Sequence, residues 1–288
     1  MNNEEWNYEV TPISTEYFKQ RSFGIVFDVF NTMQMSEDEL IKDYVEIIGS
    51  DELYESLKYH YDIVYSSILI KNYELLKDYF IWKYSVCISR NINVDCFLIE
   101  YEFWKKSVLN HLYASHGSEI NMIYSYLILN HEDLKTKAIN TKNIKINSKY
   151  QDLFDELLVC LLSGQKNEFY TLMKNDLVKF DNNVFLFIEE LIDPLMYKVG
   201  QMWQLNELSV AKEHLATSLI DEIINDFIKE NFLDDGSKPI AITSTVGDES
   251  HNLGIKIVGK FIESNGFSVK NLSSKISNKE LIDRKSVV

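Results

Sequence analysis

Two groups of residues in the second half of the sequence combine the chemistry and the spacing of a ligand site. The first group is Trp203 followed by Glu213 and His214, a W-x9-E-H spacing. An indole offers a flat apolar face, while a carboxylate and an imidazole offer hydrogen bonds to a polar group of a ligand. A buried tryptophan beside an ordinary surface Glu–His pair would have the same spacing, so this group alone leaves both interpretations open.

The second group runs from Glu249 to Gly254, an E-x-H-x-x-G pattern. The imidazole of His251 can coordinate a metal through one nitrogen, while Glu249 accepts a hydrogen bond from the other and fixes the tautomer. Gly254 would let the backbone pass close to a large ligand, because it has no Cβ. An ordinary polar loop that contains a histidine is the alternative.

Four helices are predicted to position the first group. They form a domain over 147–234, with predicted ranges of 148–162, 165–180, 183–204 and 209–232. Pro194 should kink the third helix, because a proline removes one backbone hydrogen bond. Ser209 is a good N-cap for the fourth helix. The predicted inner stripe of this helix is Leu215, Leu219, Ile223 and Phe227. Trp203 then ends one helix while Glu213 and His214 begin the next, so a short connection could turn all three side chains towards one pocket.

A partial α/β domain is predicted after these helices, over residues 238–288. Its elements are a buried parallel strand at 239–246, a polar loop at 247–252, a helix at Leu253–Ser264, a second strand at 267–272 and the start of a helix at 277. This order is the opening of a doubly wound, Rossmann-like sheet. The E-x-H-x-x-G segment then leaves the carboxyl end of the first strand, where such sheets bind ligands.

The first part of the chain, residues 1–142, is predicted to be a helical bundle, and the polar segment 140–149 is the best linker candidate. Apolar residues recur there at spacings of three and four. The predicted stripes are Tyr17, Phe18, Phe23, Val26, Phe27 and Phe30, then Val64, Ile68, Leu69, Leu75, Leu76, Phe80 and Trp82, then Phe97, Leu98, Tyr101, Phe103, Trp104 and Leu109. We interpret them as core. The fold class is therefore mostly α with an α/β C-terminus.

Composition excludes several classes of function. The 288 residues carry 44 carboxylates against 29 lysines and arginines, a formal net charge of −15. Such a surface repels phosphate backbones and anionic membranes, so we expect no direct nucleic-acid or membrane binding. The N-terminus lacks the basic and apolar regions of a signal peptide, and no apolar run is long enough for a membrane helix. We expect a cytoplasmic protein.

Neither the cysteines nor the known catalytic patterns indicate an enzyme. Cys87, Cys96 and Cys160 share no metal-ligand spacing, and we interpret them as small core residues in a reducing compartment. The sequence contains no P-loop or zinc spacing, and it suggests no Ser-His-Asp set. Stand-alone catalysis is therefore not expected.

Taken together, the two motifs, the helical domain and the strand-loop-helix order resemble the cobalamin-binding module of methionine synthase and corrinoid proteins. The W-x9-E-H element resembles, more narrowly, the adenosylcobalamin photoreceptors and their relatives. That resemblance implies that Trp203, Glu213 and His214 line the upper, adenosyl face of the cofactor, and that His251 ligates cobalt from below. Adenosylcobalamin is then the expected cofactor, with methylcobalamin as the alternative. The resemblance covers residues 148–288 and extends weakly to 59–113.

The sequence departs from that family at several positions. Glu249 replaces the aspartate of the usual D-x-H-x-x-G motif, and Gln204 replaces a histidine that follows the motif tryptophan in well-studied light sensors. The S-x-L and G-G segments that hold the cofactor's nucleotide tail have no counterpart before Val288. We therefore expect a truncated or degenerate form of the module. The DNA-binding domain of the transcriptional photoreceptors also has no counterpart.

Three functions remain open on the sequence. A cobalamin-dependent sensor or regulator that signals to a protein partner is favoured by the W-x9-E-H element. A corrinoid methyl carrier of a methyltransferase system fits the fold and His251 equally well, but a tryptophan lid would obstruct its upper face. An interaction module that no longer binds cobalamin fits the missing tail-binding segments. The oligomeric state, including a homo-oligomer, stays open.

Overall fold

The computed structural model of the chain describes residues 9–140, 148–231, 239–245 and 253–272. The chain divides into unit 1, which is Met1–Asn143 with Gln204–Asn206, and unit 2, which is Ile144–Trp203 with Glu207–Val288. Helices dominate the described residues, and two short parallel strands lie near the end. This agrees with a mostly α fold class. Of the predicted linker, residues 141–147 lie outside the described residues.

Unit 1 is a bundle of helices around an aromatic core. Its described helices are α1 (Pro12–Gln20), α2 (Ser22–Gln34), α3 (Glu39–Ile48), α4 (Ser50–Leu69), α5 (Tyr73–Ser89), α6 (Cys96–His111), α7 (Ala114–Leu129) and α8 (His131–Ile139). Side-chain caps set several starts: Thr11 accepts the N–H of Ser14, and Asp38 accepts the N–H of Leu40. Among the largest fully buried side chains are Trp104, Tyr44, Tyr84, Tyr101, Tyr124, Phe18, Phe80 and Phe97.

The predicted apolar stripes are only partly core. Phe18, Val26, Phe80 and Trp104 are buried, for example. Several members of the stripes are exposed instead: Tyr17, Phe23, Phe27, Leu69, Leu75, Trp82 and Leu109. On α2 the buried residues are Ile25, Val26, Val29 and Met33. Phe23 and Phe27 each precede a core residue by two positions, which is about 200° around a helix, so they point away from the core. The spacing was correct for a helix, but the assignment of these two residues to the buried face was wrong.

A buried ionic group lies inside unit 1. Lys83 Nζ is 2.7 and 3.0 Å from the two carboxylate oxygens of Glu100, and both side chains are almost inaccessible to solvent. Trp104 donates its indole N–H to the same carboxylate at 3.2 Å. His60 stacks on Trp104, with 4.6 Å between ring centroids. The carboxylate of Glu100 on α6 therefore pairs with Lys83 on α5, and His60 on α4 lies beside the pair.

Unit 2 begins with a second helical core and continues into two strands. Its elements are α9 (Gln151–Leu162), α10 (Lys166–Asp176), α11 (Val184–Phe187), α12 (Asp193–Gln204), α13 (Val210–Asn231), β1 (Ile240–Ser244), α14 (Leu253–Ser264) and β2 (Ser268–Leu272). Short 3-10 segments lie at Ser148–Tyr150 and Leu177–Phe180. Leu157, Phe169, Phe187, Ile220 and Phe227 are among the buried side chains of this core.

The third predicted helix of this unit is interrupted rather than continuous. A π-helical segment, Ile188–Ile192, separates α11 from α12. The N–H of Asp193 donates to the carbonyl of Ile188, five residues earlier. Pro194 follows directly, has no N–H to donate, and would clash with a carbonyl four residues earlier in a regular α-helix. The wider π-helical turn before Pro194 accommodates the missing N–H and relieves the clash.

Helix α13 starts where the sequence predicted. The hydroxyl of Ser209 accepts the N–H of Lys212 at 3.4 Å, which confirms the N-cap. Its buried residues are Ala216, Leu219, Ile220, Ile223, Ile224 and Phe227. The prediction that Leu215 belongs to the inner stripe is wrong, because its side chain is 57% exposed. A strict four-residue spacing rotates by about 40° per step, so a stripe extended back from Phe227 leaves the buried face before it reaches Leu215.

The two strands pair in parallel, in a register that runs from Ile240 opposite Ser268 to Ser244 opposite Leu272. Helix α14 packs close on one face, since a Cβ on Gly259 would lie 3.3 Å from Val269. The prediction that the first strand is buried holds for Thr243, which is 7% exposed, but is wrong for its two isoleucines. Ile240 and Ile242 are 55% and 43% exposed, because alternate residues point to opposite faces and these two lie on the face away from α14. The helix predicted from residue 277 lies outside the described residues.

Two further expectations concern the whole chain. The three cysteines are free and buried, as predicted, and burial raises the pKa of the Cys87 thiol to about 11. Among the helices that the structure describes, none has both the length and the apolar character to cross a membrane.

Candidate functional site

The junction between α12 and α13 positions the first predicted group. Asn206 adopts a left-handed backbone conformation with a φ of 59°. The N–H groups of Glu207 and Leu208 then both donate to the carbonyl of Met202, at 2.8 and 3.1 Å. This hydrogen-bonded turn closes the C-terminal end of α12, and the side chain of Leu208 is buried. The connection from α12 to α13 is therefore short and fixed by its own backbone bonds.

Trp203 lies in the last turn of α12, and its side chain is half-buried. Glu213 and His214 lie in the first turns of α13, as predicted. Their assignment to one face of a ligand stays a prediction. The structure adds their exposure: the side chain of Glu213 is 20% exposed, whereas that of His214 is 66% exposed. The histidine is therefore the more accessible of the two polar groups.

The carboxylate of Glu213 has two different neighbours. Thr217 donates its hydroxyl to Oε1 at 3.0 Å, and Nδ1 of His214 lies 3.4 Å from Oε2. The carboxylate also lies near the N-terminal end of α13, where the helix dipole stabilises negative charge. The sequence analysis missed Thr217. Its position four residues after Glu213, on the same side of a helix, was the available signal.

The second predicted group is described only in part. Glu249 and His251 lie outside the described residues, so their roles stay predictions. Gly254 is the second residue of α14 and is exposed. Among the described residues, a Cβ placed on Gly254 would meet no atom of another part of the chain within 4 Å. No described residue therefore fills the space beside Gly254, which is consistent with the predicted close approach of a ligand.

Helix α14 contacts the helical core of unit 2 as well as the strands. Lys256 Nζ is 2.6 Å from Oδ2 of Asp221 on α13. Leu253 and Ile257 pack against the helical core, and Phe261 lies edge-on to Phe185 with ring centroids 5.1 Å apart. The start of α14, which directly follows the E-x-H-x-x-G loop, is thus attached to the helix that carries Glu213 and His214. The sequence analysis did not foresee this packing.

A cavity of about 300 Å³ lies between α13, α14 and β2. Asn225, Lys256, Lys260 and Asn271 are among its lining residues. Lys256 pairs with Asp221, and Lys260 pairs with Glu263 at 2.7 Å. The predicted residues Trp203, Glu213, His214 and Gly254 do not line it, so this cavity is not the predicted ligand face.

Unit 1 contains a histidine–carboxylate group that resembles a metal site in composition. Ligand atoms of Asp95, His131 and Glu132 lie within 4.8 Å of one another. However, Lys135 Nζ is 2.8 Å from Asp95, and Tyr84 is hydrogen-bonded to the other ring nitrogen of His131 at 2.8 Å. The hydrogen bond from Lys135 is the largest cause of a lowered pKa of Asp95, and the hydrogen bond from His131 is the second. The group is thus organised as an ion pair.

Comparison with known families gives a match to one part of unit 2. The family model described as "B12 binding domain" matches residues 153–225. The matched stretch runs from α9 into α13 and includes Trp203, Glu213 and His214. A search of curated proteins gave no match. The family match supports cobalamin binding by this part of the chain.

The residues present fit a cobalamin in their chemistry. The cofactor has a flat corrin ring, a cobalt ion that accepts an imidazole ligand, and an upper group that varies. The half-buried indole of Trp203 offers a flat apolar face, and the carboxylate of Glu213 is held in place. His214 is accessible, and no described residue fills the space beside Gly254. The sequence supplies a second imidazole at His251.

Proposed function

We propose that the chain is a cobalamin-binding sensor or regulator that signals to a protein partner. The observation that carries this proposal is the match of a B12 binding domain model to residues 153–225. The match ends on α13, just beyond the residues that the W-x9-E-H motif assigns to the ligand. Adenosylcobalamin is the proposed form of the cofactor, and methylcobalamin is the alternative.

Each residue of the proposed site has a separate task. Trp203 would cover the apolar part of the upper group, while Glu213 and His214 would bind its polar part. His251 would ligate cobalt from below, with Glu249 orienting its ring. Cobalamin, when bound, supplies a cobalt–carbon bond whose upper group can be lost in light. The protein's part is to bind, orient and enclose that group.

The sensor is preferred to a methyl carrier because of Trp203. A carrier must present its upper face to the active site of a methyltransferase, whereas an indole over that face would obstruct the transfer. The half-burial of Trp203 at the end of α12 supports a fixed cover over a bound group. The carrier stays as the second candidate, and an interaction module that no longer binds cobalamin is the third. For all three candidates we propose a protein that has no catalytic activity of its own. We also propose that it is located in the cytoplasm.

A protein partner is supported by the surface of unit 1. Phe23 is 70% exposed and stacks on Phe27, with 5.7 Å between ring centroids. Tyr113 is 73% exposed. Contiguous exposed apolar patches mark sites of protein interaction, and we propose that the stacked pair of Phe23 and Phe27 belongs to one. The net charge of −15 disfavours nucleic acid as the target.

The direct test is retention of the cofactor. Purified protein is mixed with adenosylcobalamin in the dark, desalted, and examined by visible absorption before and after illumination. We expect retained colour that changes in light and is lost in His251→Ala and Trp203→Ala. Matched controls in unit 1, His111→Ala and Trp82→Ala, should retain the colour.

The outcomes separate the candidates. Retained colour with no lasting response to light beyond that of the free cofactor would favour the carrier or a sensor that does not respond to light. No retained colour in the parent protein would refute cobalamin binding and favour the interaction module. Equal losses in the site variants and in the unit 1 controls would refute the assignment of Trp203 and His251.

A further inference from the structure

We infer that Thr217 is a positioning residue of the proposed cobalamin site, which fixes the carboxylate of Glu213 for contact with the upper group. This inference rests on the proposed function. Thr217 lies outside both sequence motifs, and it would act on the ligand only through Glu213.

The hydrogen bond between the two side chains has a defined direction. The Oγ1 of Thr217 lies 3.0 Å from Oε1 of Glu213. An ionised carboxylate has no proton to donate, so the hydroxyl must be the donor. Thr217 is half-buried and lies next to the buried Ala216 on α13. Because a β-branched side chain has few rotamers in a helix, its hydroxyl is a firm anchor.

The two oxygens of Glu213 are therefore not equivalent. Oε1 accepts the hydrogen bond from the hydroxyl of Thr217. Oε2 is the oxygen 3.4 Å from Nδ1 of His214, whose side chain is 66% exposed. The bond to Oε1 thus orients the carboxylate of Glu213, while Oε2 lies beside the exposed imidazole of His214. That second oxygen is the acceptor available to a ligand.

This arrangement selects a class of upper group. A carboxylate oxygen accepts hydrogen bonds, so it favours an upper group that carries hydroxyl or amino donors. Because Thr217 already holds the carboxylate in place, binding does not have to supply the free energy of ordering it. A methyl group offers no such donor. The presence of Thr217 should therefore increase the preference for adenosylcobalamin over methylcobalamin, while affecting affinity for the shared corrin ring little.

The test compares two cobalamins on the full-length protein. Dissociation constants for adenosylcobalamin and methylcobalamin are measured by equilibrium dialysis in the dark for the parent, Thr217→Val, Thr217→Ser and Glu213→Ala. Valine keeps the shape of threonine without its hydroxyl, while serine keeps the hydroxyl. We expect Thr217→Val to reduce the preference for adenosylcobalamin by about 3- to 10-fold, the size of one hydrogen bond, and Thr217→Ser to retain it.

A double variant tests whether the effect passes through Glu213. If Thr217 acts only by holding that carboxylate, Thr217→Val should cause little further loss of preference in a Glu213→Ala background, where the acceptor of its hydrogen bond is absent. Thermal unfolding of each variant confirms that unit 2 remains folded. Full additivity of the two substitutions would contradict the positioning role.

The other outcomes are distinct. An unchanged preference in Thr217→Val, with normal retention by the parent, would overturn the role of Thr217 and leave cobalamin binding intact. Equal weakening of both cobalamins would also overturn it, because that result indicates a packing defect. A parent protein that binds neither cobalamin would refute the proposed function, and the inference with it.

Discussion

His60 provides a test of the core of unit 1 because its ring is fully buried beside a charged pair. The side chain has no exposure to solvent, and its plane lies parallel to those of Trp104 and Tyr124, at centroid distances of 4.6 and 5.9 Å. Within the described residues, neither ring nitrogen has a hydrogen-bond partner. Oε1 of Glu100 lies 3.6 Å from Nδ1, and that carboxylate is already paired with Lys83.

Burial lowers the pKa of His60 well below its ordinary value of 6.5, and the nearby charge of Lys83 lowers it further. The folded protein therefore keeps this ring neutral at pH values where the unfolded chain takes up a proton. Stability from this group is complete above pH 6.5 and is lost as the pH falls below it. The free energy of unfolding should fall by about 1 kcal/mol over the first pH unit below that value, and then by about 1.4 kcal/mol per unit.

The variant that isolates this effect is His60→Phe, which keeps an aromatic ring in the stack but cannot be protonated. Urea unfolding is followed by tryptophan fluorescence in a Trp203→Phe background, because Trp6, Trp82 and Trp104 then all lie in unit 1. We expect the pH dependence of the parent to exceed that of His60→Phe by the slope of one proton. The control, His111→Gln, alters a histidine that is 32% exposed and should leave the slope close to that of the parent.

Equal slopes for the parent and His60→Phe would refute this reasoning. They would mean that the folded core accepts the proton, with Glu100 compensating the charge, or that water reaches the ring. A larger slope for His60→Phe than for the parent would contradict the direction of the pKa shift itself.

The remaining predictions use the same unfolding assay or hydrogen exchange. Lys83→Met should destabilise unit 1 by about 3–5 kcal/mol, because it leaves the carboxylate of Glu100 buried and unpaired. The double variant Lys83→Met/Glu100→Gln should recover most of that loss, and a double variant as unstable as the single one would contradict it. Gly259→Leu should destabilise α14 by about 1–3 kcal/mol through overpacking against Val269, seen as faster amide exchange in that helix. Gly254→Ala, where the added Cβ meets no atom of the described residues within 4 Å, should leave amide exchange nearly unchanged and weaken cobalamin retention. Unchanged retention would contradict a close approach of the ligand to Gly254.

The parts of the fold that local chemistry determines could be predicted from the sequence. Ser209 caps α13 because a hydroxyl at that position can accept a backbone N–H, a signal contained within four residues. The helix at Leu253–Ser264 ends two residues before Gly266, which adopts a positive φ of 94°. The parallel pairing of β1 with β2 follows from the helix between them. In each case the cause lies within one element or its immediate neighbours.

The predictions that were wrong concern burial, which depends on the side of a helix or strand that a neighbouring element covers. Phe23 and Leu215 have the spacing of core residues, but the packing of α2 and α13 places the buried face elsewhere. Ile242 has the apolar character of a buried strand, yet α14 covers the opposite face of the described sheet. Periodicity gives the period of a helix or strand, but not the phase at which a neighbour packs.

The candidate site shows the same division. Trp203, Glu213 and His214 could be selected because their side chains carry the chemistry themselves. Thr217 and Asp221 could not, because each matters only through a partner: Thr217 holds Glu213, and Asp221 holds Lys256 on α14. Both partnerships start from α13, the helix whose first turns contain the polar residues of the motif. This one helix therefore connects the proposed upper face of the cofactor to the element that follows the predicted cobalt ligand, a connection that no motif in the sequence records.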